Sequence, residues 1–530
     1  MYLRTFVAVS SLALTVSSVQ APLLFDSEVL DHGPHLDHAR RNAPHIFKAL
    51  HSSMRQWGSS LNHNGMSFFS AAIPNNTLLY HGTRTKDRVN GTEWLAFEIE
   101  HAEVFARSRG PRGGKPGERP PGGPGGGPPD RGPPSNGRPQ NRPEYPSEPG
   151  HGLADGPPKM PTDDDDGVTH GYLHIYRTSR ALNNLLYLDG MSAGKTSLGT
   201  LDTQDLILRN DSKEDDHHPW SDYERAQTMC ALGQDYGIEG ILRMEAGFEL
   251  ILCNFSSGVD FLSAAQRPDY DKPEAYADLS HFEYVRGVAA RYHGITAGRV
   301  AVNYSSMVSA FFYPLNLTNP DPSRAELPRL PASEREGLAR IKSDVLGLFS
   351  QPRSVESVDW QGVVDMVVTR YADRLQLLAS NLTERALLSE INFLLNVFVD
   401  YAEPSLSIAT ERCATSYLTL LTLRTESDFL IYEAIVTVTR KICSTLFELR
   451  EILLNEDKEL TKLKESPNAA IQELIEYLSW STWLECGKCG YDEVCYVAIW
   501  PWGGVEDHFS PGCRKSDEMS DRRGYWDVGR

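Results

Sequence analysis

From Arg107 to Gly167 roughly half of the residues are proline or glycine, as in GERPPGGPGGGPPDRGPPSNGRPQNRP. Such a stretch has almost no apolar side chains to bury, so it cannot offset the entropy of ordering its backbone. A disordered insert is therefore expected over 107–167, closing on the acidic run Asp163 to Asp166. Nothing periodic in it resembles collagen. Any domain that crosses it has to be assembled from two separated stretches of chain.

On either side the pattern is mixed. Before the insert, His45 to Trp57 has helical spacing, while Thr77 to Tyr80 and Glu93 to Phe97 read as strands. After it, Gly171 to Tyr176, Leu185 to Leu188, Gly240 to Met244 and Phe248 to Phe255 read as strands. Ser221 followed by Glu224 marks the start of a helix that reaches about Tyr236. The predicted class is α+β, with 44–106 and 168–265 forming one domain and 266–330 an extension. Beyond Pro331 the spacing turns helical: Val364, Val367, Val368, Tyr371, Leu375 and Leu378 mark one helix face. Similar runs over Arg385 to Tyr401, Thr410 to Leu423, Asp428 to Leu453 and Ala469 to Leu484 predict a helical domain over 331–484. A short tail, 485–530, is rich in cysteine and tryptophan.

The first residues point to export. Met1-Tyr-Leu-Arg4 carries positive charge, Phe6 to Val19 is apolar, and Val19-Gln-Ala21 has small residues at the cleavage positions of a signal peptide over 1–21. No later stretch has the eighteen or more uninterrupted apolar residues of a membrane span, so a soluble, secreted protein is expected. Asn-x-Ser/Thr sequons at Asn75, Asn90, Asn210, Asn254, Asn303, Asn316 and Asn381 are glycosylation candidates. Eight cysteines, Cys230, Cys253, Cys413, Cys443, Cys486, Cys489, Cys495 and Cys513, form an even set that an oxidising compartment would bridge. The four in the tail could instead ligate zinc, but they lack the paired Cys-x-x-Cys spacing. Cys413 with Cys443 would join two helices, and Cys230 with Cys253 a helix to a strand. A formal charge of −19 argues against nucleic-acid binding, which rests on neutralising phosphates with Lys and Arg.

Several motifs invite chemistry and fail on spacing. In Gly190-Met-Ser-Ala-Gly-Lys-Thr196 the two glycines are separated by three residues, whereas a phosphate-cradling loop needs four before Gly-Lys-Thr. Lys195 is accordingly expected to face solvent. Asp215-Asp216-His217-His218 reads as a solvated acidic loop. His-Glu-x-x-His does not occur. A more informative set is dispersed: Thr77-Leu-Leu-Tyr-His81-Gly82-Thr83 ends a strand, Trp94-Leu-Ala-Phe97 runs into Glu100-His-Ala-Glu-Val-Phe-Ala106, and Gly247-Phe-Glu249-Leu-Ile-Leu-Cys253 is a strand with a carboxylate near its start.

This trio resembles the ADP-ribosyltransferase fold, in the order histidine strand, aromatic strand plus helix, glutamate strand. The resemblance implies that NAD is the substrate, that His81 and Gly82 hold its nicotinamide end, and that Trp94 stacks on the ring. Glu249 would stabilise the positive charge that builds on the ribose as the glycosidic bond breaks. Two departures stand out. Trp94 occupies a position where the family has tyrosine or serine, and Glu245, four residues before Glu249, does not make the Glu-x-Glu pair of arginine-modifying members. The remaining motifs, RCATSYL, KICSTLF and YDEVCYVAIWPWGG, resemble a group of uncharacterised secreted fungal proteins. Two functions follow as expectations: an NAD-consuming transferase or glycohydrolase, or a non-catalytic secreted protein that keeps the fold and docks a protein partner through its helical half.

Overall fold

The computed structural model describes residues 32–110, 169–210, 222–269, 281–289, 298–331, 334–350, 357–455, 466–519 and 522–526. The expected signal peptide, most of the proline-glycine insert and the Asp215 to His218 loop lie outside the described residues.

Three short helices open the described chain: α1 (Leu36–Arg41), α2 (Ala43–Ser52) and α3 (Gln56–Leu61). Strands β1 (Ser67–Ile73), β2 (Leu78–Thr83) and β3 (Glu93–Ala96) then lead into α4 (Ile99–Glu103). After the insert come β4 (Tyr172–Thr178), β5 (Leu182–Leu188), α5 (Asp222–Gln234), β6 (Gly240–Met244), β7 (Phe248–Leu252), β8 (Val259–Gln266), α6 (His281–Ala289) and β9 (Ala301–Ser309). These nine strands form one mixed sheet in the order β8-β4-β2-β3-β7-β6-β5-β1-β9. Neighbours run antiparallel except β5 and β6. The insert thus joins two stretches of a single sheet.

The expected extension over 266–330 is not an appendage. Its strand β9 pairs with β1 and completes one edge of the sheet. Sequence patterning misses both strands because serine and alanine dilute their apolar residues. The small side chains make a hydroxyl ladder between them, with Ser67 Oγ donating to Ser309 Oγ at 2.9 Å and Ser70 Oγ to Ser306 Oγ at 3.0 Å.

The helical half contains α7 (Arg335–Gly347), α8 (Trp360–Leu378), α9 (Glu384–Leu395), α10 (Leu406–Thr415), α11 (Glu426–Leu454) and α12 (Pro467–Leu478). Helix α11 starts with a capping box: Asp428 N donates to Thr425 Oγ1 at 3.1 Å, and the Asp428 carboxylate accepts from Thr425 N. The same carboxylate accepts from Trp360 Nε1 at 2.8 Å, tying α8 to α11. Thr425 Oγ1 and Ser427 Oγ donate to the carbonyls of Ser305 and Met307, which fixes α11 against β9. Helix α2 packs on α8 and α11, and one continuous apolar core runs from the sheet into the helices.

All eight cysteines are paired: Cys230–Cys253, Cys413–Cys443, Cys486–Cys495 and Cys489–Cys513. The last ties the segment before β10 (Val494–Tyr496) to β11 (Gly512–Arg514), and the third ties that segment to β10 itself. The tail thiols are therefore not available as zinc ligands. Of the seven sequon asparagines, six are exposed and Asn303 is half-buried in β9.

Candidate functional site

The three strands of the predicted trio lie side by side, β2 next to β3 and β3 next to β7. Their register decides what the side chains can do together. Tyr80 pairs with Ala96, and Ala96 with Glu249; Trp94 pairs with Ile251. Cross-strand partners share a sheet face and successive residues alternate. Tyr80, Trp94, Ala96 and Glu249 therefore stand on one face, and His81 on the other.

On that other face His81 packs against His174, its cross-strand partner, and against Phe255, with ring centroids 6.0 and 5.7 Å away. Its Nδ1 lies 2.7 Å from the Trp94 carbonyl, an acceptor, so Nδ1 carries the proton of the neutral ring. Burial draws its pKa down to about 4, against the pull of that carbonyl. Gly82 lies under the chain of α4: a Cβ on it would sit 2.1 Å from the Ala102 carbonyl oxygen and 2.7 Å from the Ala106 nitrogen. Trp94 is half-buried and tilts against Tyr223 of α5 at 6.1 Å. Glu249 joins Trp94 on one face, but the structure does not bring His81 to them, and the chain's own backbone fills the space in front of Gly82.

Glu249 belongs instead to a buried charge network at the β6–β7 turn. Arg243, on β6, donates through Nε to Glu249 Oε1 at 2.8 Å and through Nη1 to Gln204 Oε1 at 2.8 Å. Lys195 is not solvent-facing but 6 % exposed. It pairs with Glu245 and, at 2.6 Å, with Asp222 Oδ2, and its ammonium lies 4.7 Å over the Trp500 ring. Arg225 of α5 grips Asp205 with two bonds, at 2.8 and 3.1 Å, and reaches Asp222 at 3.2 Å. A buried charge survives only when paired, so each element around the turn delivers a counter-ion.

The electrostatics follow from the same contacts. Burial pushes the Glu249 carboxyl up to about 7; Arg243 opposes this, while Glu245 and Asp222 add to it. Burial would lower Lys195, but Glu245 and Asp222 outweigh it and hold the ammonium above its ordinary range. Asp222 is drawn down to about 2, because Lys195 and Arg243 overcome its burial.

Helix α4 completes the region. His101 is 2 % exposed, and one of its ring nitrogens lies within 4.8 Å of an oxygen of Glu245 and of Glu249, which are themselves that close. Tyr284 of α6 meets the His101 ring edge-on at 6.1 Å. Sequence reasoning singled out Glu249 alone here. The signal that could have found the rest is RMEAGFE, where Arg243, Glu245 and Glu249 interrupt two apolar strands at a turn.

Comparison with known proteins gives a family without an activity. Residues 32–272 match the model of the YPL277C N-terminal domain, and residues 359–460 that of the YPL277C C-terminal domain. The chain is 27 % identical to the uncharacterised protein YOR389W of Saccharomyces cerevisiae over 88 % of its own length and 83 % of the relative's. It is 36 % identical to the uncharacterised yeast protein YPL277C over 45 % of each chain. No solved structure matches it. Together these matches make the chain similar to uncharacterised yeast proteins that carry these N- and C-terminal domains.

Proposed function

We propose that the protein is a non-catalytic, secreted binding protein whose sheet serves as a scaffold. One observation carries this: His81 and Glu249 stand on opposite faces of the sheet, so they cannot grip the two ends of one nicotinamide riboside. The filled space before Gly82 and the pairing of Glu249 with Arg243 agree with it. Phe393 on α9, Val397 in the turn that follows it and Tyr401 in the next loop are 70, 72 and 65 % exposed; apolar side chains presented in this way suit a protein partner. Among the described residues no helix is long and apolar enough to cross a membrane.

The NAD-consuming reading keeps one support of its own: the histidine, aromatic and glutamate strands are adjacent, with Trp94 and Glu249 on a common face. The two readings part in one assay. Purified protein is incubated with NAD and released nicotinamide is measured. Release at the level of the buffer blank is expected. Release above it that Glu249→Gln abolishes, with the melting midpoint unchanged, would establish the enzyme instead.

A further inference from the structure

Where α4 meets the β6–β7 turn, His101, Glu245 and Glu249 cluster, all buried, each presenting one nitrogen or oxygen within 4.8 Å of the other two. Clustered carboxylates alone would signify nothing. Here, however, Nδ1 of the 2 %-exposed His101 has no hydrogen-bond partner, and neither has the hydroxyl of the 2 %-exposed Tyr284 beside it. An unpartnered buried polar atom costs about 1–3 kcal/mol, and two at one spot point to a missing partner.

We propose that His101, Glu245 and Glu249 form a binding site for a divalent transition-metal ion. One nitrogen and two carboxylate oxygens are a donor set for ions such as Mn²⁺ or Zn²⁺. Three ligand atoms about 2.1 Å from one ion stand roughly 3–3.6 Å apart, so separations of up to 4.8 Å would close by about 1–2 Å on binding. The surroundings are those of an oriented ligand set. The Phe248 carbonyl hydrogen-bonds the His101 ring, which leaves the lone pair on the other nitrogen. Lys195 and Arg243 each hold one carboxylate by its Oε1. The tail cysteines do not compete, because all four are in disulfides. This site does not depend on whether the protein is a scaffold or an enzyme.

The test uses the full-length protein, stripped with a chelator and titrated with Mn²⁺ and with Zn²⁺. One ion per chain is expected to bind saturably, with a rise in melting midpoint of about 2–3 °C at a hundredfold excess over Kd. His101→Gln is expected to weaken binding by at least about tenfold; if that variant does not fold, Glu245→Gln takes its place. The Co²⁺ spectrum of the unaltered protein reads the donors independently, and nitrogen–oxygen coordination is expected. No saturable binding by the unaltered protein, undiminished binding by a folded variant, or a thiolate charge-transfer band would each overturn the proposal.

Discussion

Replacing Gly82 with alanine would place a methyl carbon 2.1 Å from the Ala102 carbonyl oxygen, 2.7 Å from the Ala106 nitrogen and 2.9 Å from the Phe105 carbonyl carbon. All three are backbone atoms, so no rotamer change relieves the overlap. Either α4 lifts from the sheet by about 1 Å or β2 shifts in its ladder. Lifting α4 would part the buried Ala102 and Ala106 from Leu173 and Tyr80. Overpacking a close-packed core costs about 1–3 kcal/mol, and rigid neighbours place this case at the upper end. On that basis Gly82→Ala should lower the melting midpoint by about 3 °C. Gly347→Ala is the control: nothing lies within 4 Å of its added methyl, and the midpoint should stay or rise slightly. A glycine left open to receive nicotinamide would accept the methyl group without loss of stability. A midpoint for Gly82→Ala equal to that of the control would refute the reading of this site as filled.

Four further outcomes are expected. Arg225→Met leaves Asp205 buried without its main counter-ion and should cost about 3–5 kcal/mol in denaturant unfolding. Opening Cys413–Cys443, 30 residues apart in sequence, should cost about 3–4 kcal/mol; opening Cys486–Cys495, nine apart, should cost about 1 kcal/mol less. Burial holds His45, His81, His281 and His508 to about 3, 4, 4 and 3, below their unfolded value of 6.5. Their stabilisation is whole above pH 6.5 and is lost as the pH falls, by up to about 1.4 kcal/mol per unit for each. Asp189, Glu93 and Glu249, raised to about 7 from unfolded values near 4, work the other way, losing stability as the pH rises from about 4 to 7. The four histidines outnumber them, so the melting midpoint should fall between pH 6.5 and 4.5, and a flat profile would contradict their burial. In a secretory host Asn303→Gln should leave electrophoretic mobility unchanged, because that asparagine sits half-buried in β9.

What could be read from the sequence was local. The predicted strand Gly240 to Met244 matches β6, and the predicted helical run Asp428 to Leu453 falls within α11. The resemblance implied an order along the chain and no sheet neighbours; the structure sets the histidine, aromatic and glutamate strands side by side. The face each side chain takes was not legible. Strand β7 is buried at all five positions, and β2 carries leucine in both phases although one phase is partly exposed, so alternation in the sequence does not mark an inner face. Lys195 was misjudged for a related reason. Its burial depends on Glu245, fifty residues on, and on Asp222, and no window around a lysine contains its distant counter-ions.

Strand β9 belongs to neither of the two matched stretches, since residues 301–309 fall between 272 and 359. A fragment ending at the first boundary would keep β1 and lose the neighbour that covers it. The bare strand would then offer Phe68, Phe69 and a row of unsatisfied amides to any other chain, a template for aggregation. The two units recognised in the family are thus not separable pieces. Expression trials that cut at those limits should yield insoluble material, whereas a cut placed after residue 309 would carry the sealing strand along with its sheet.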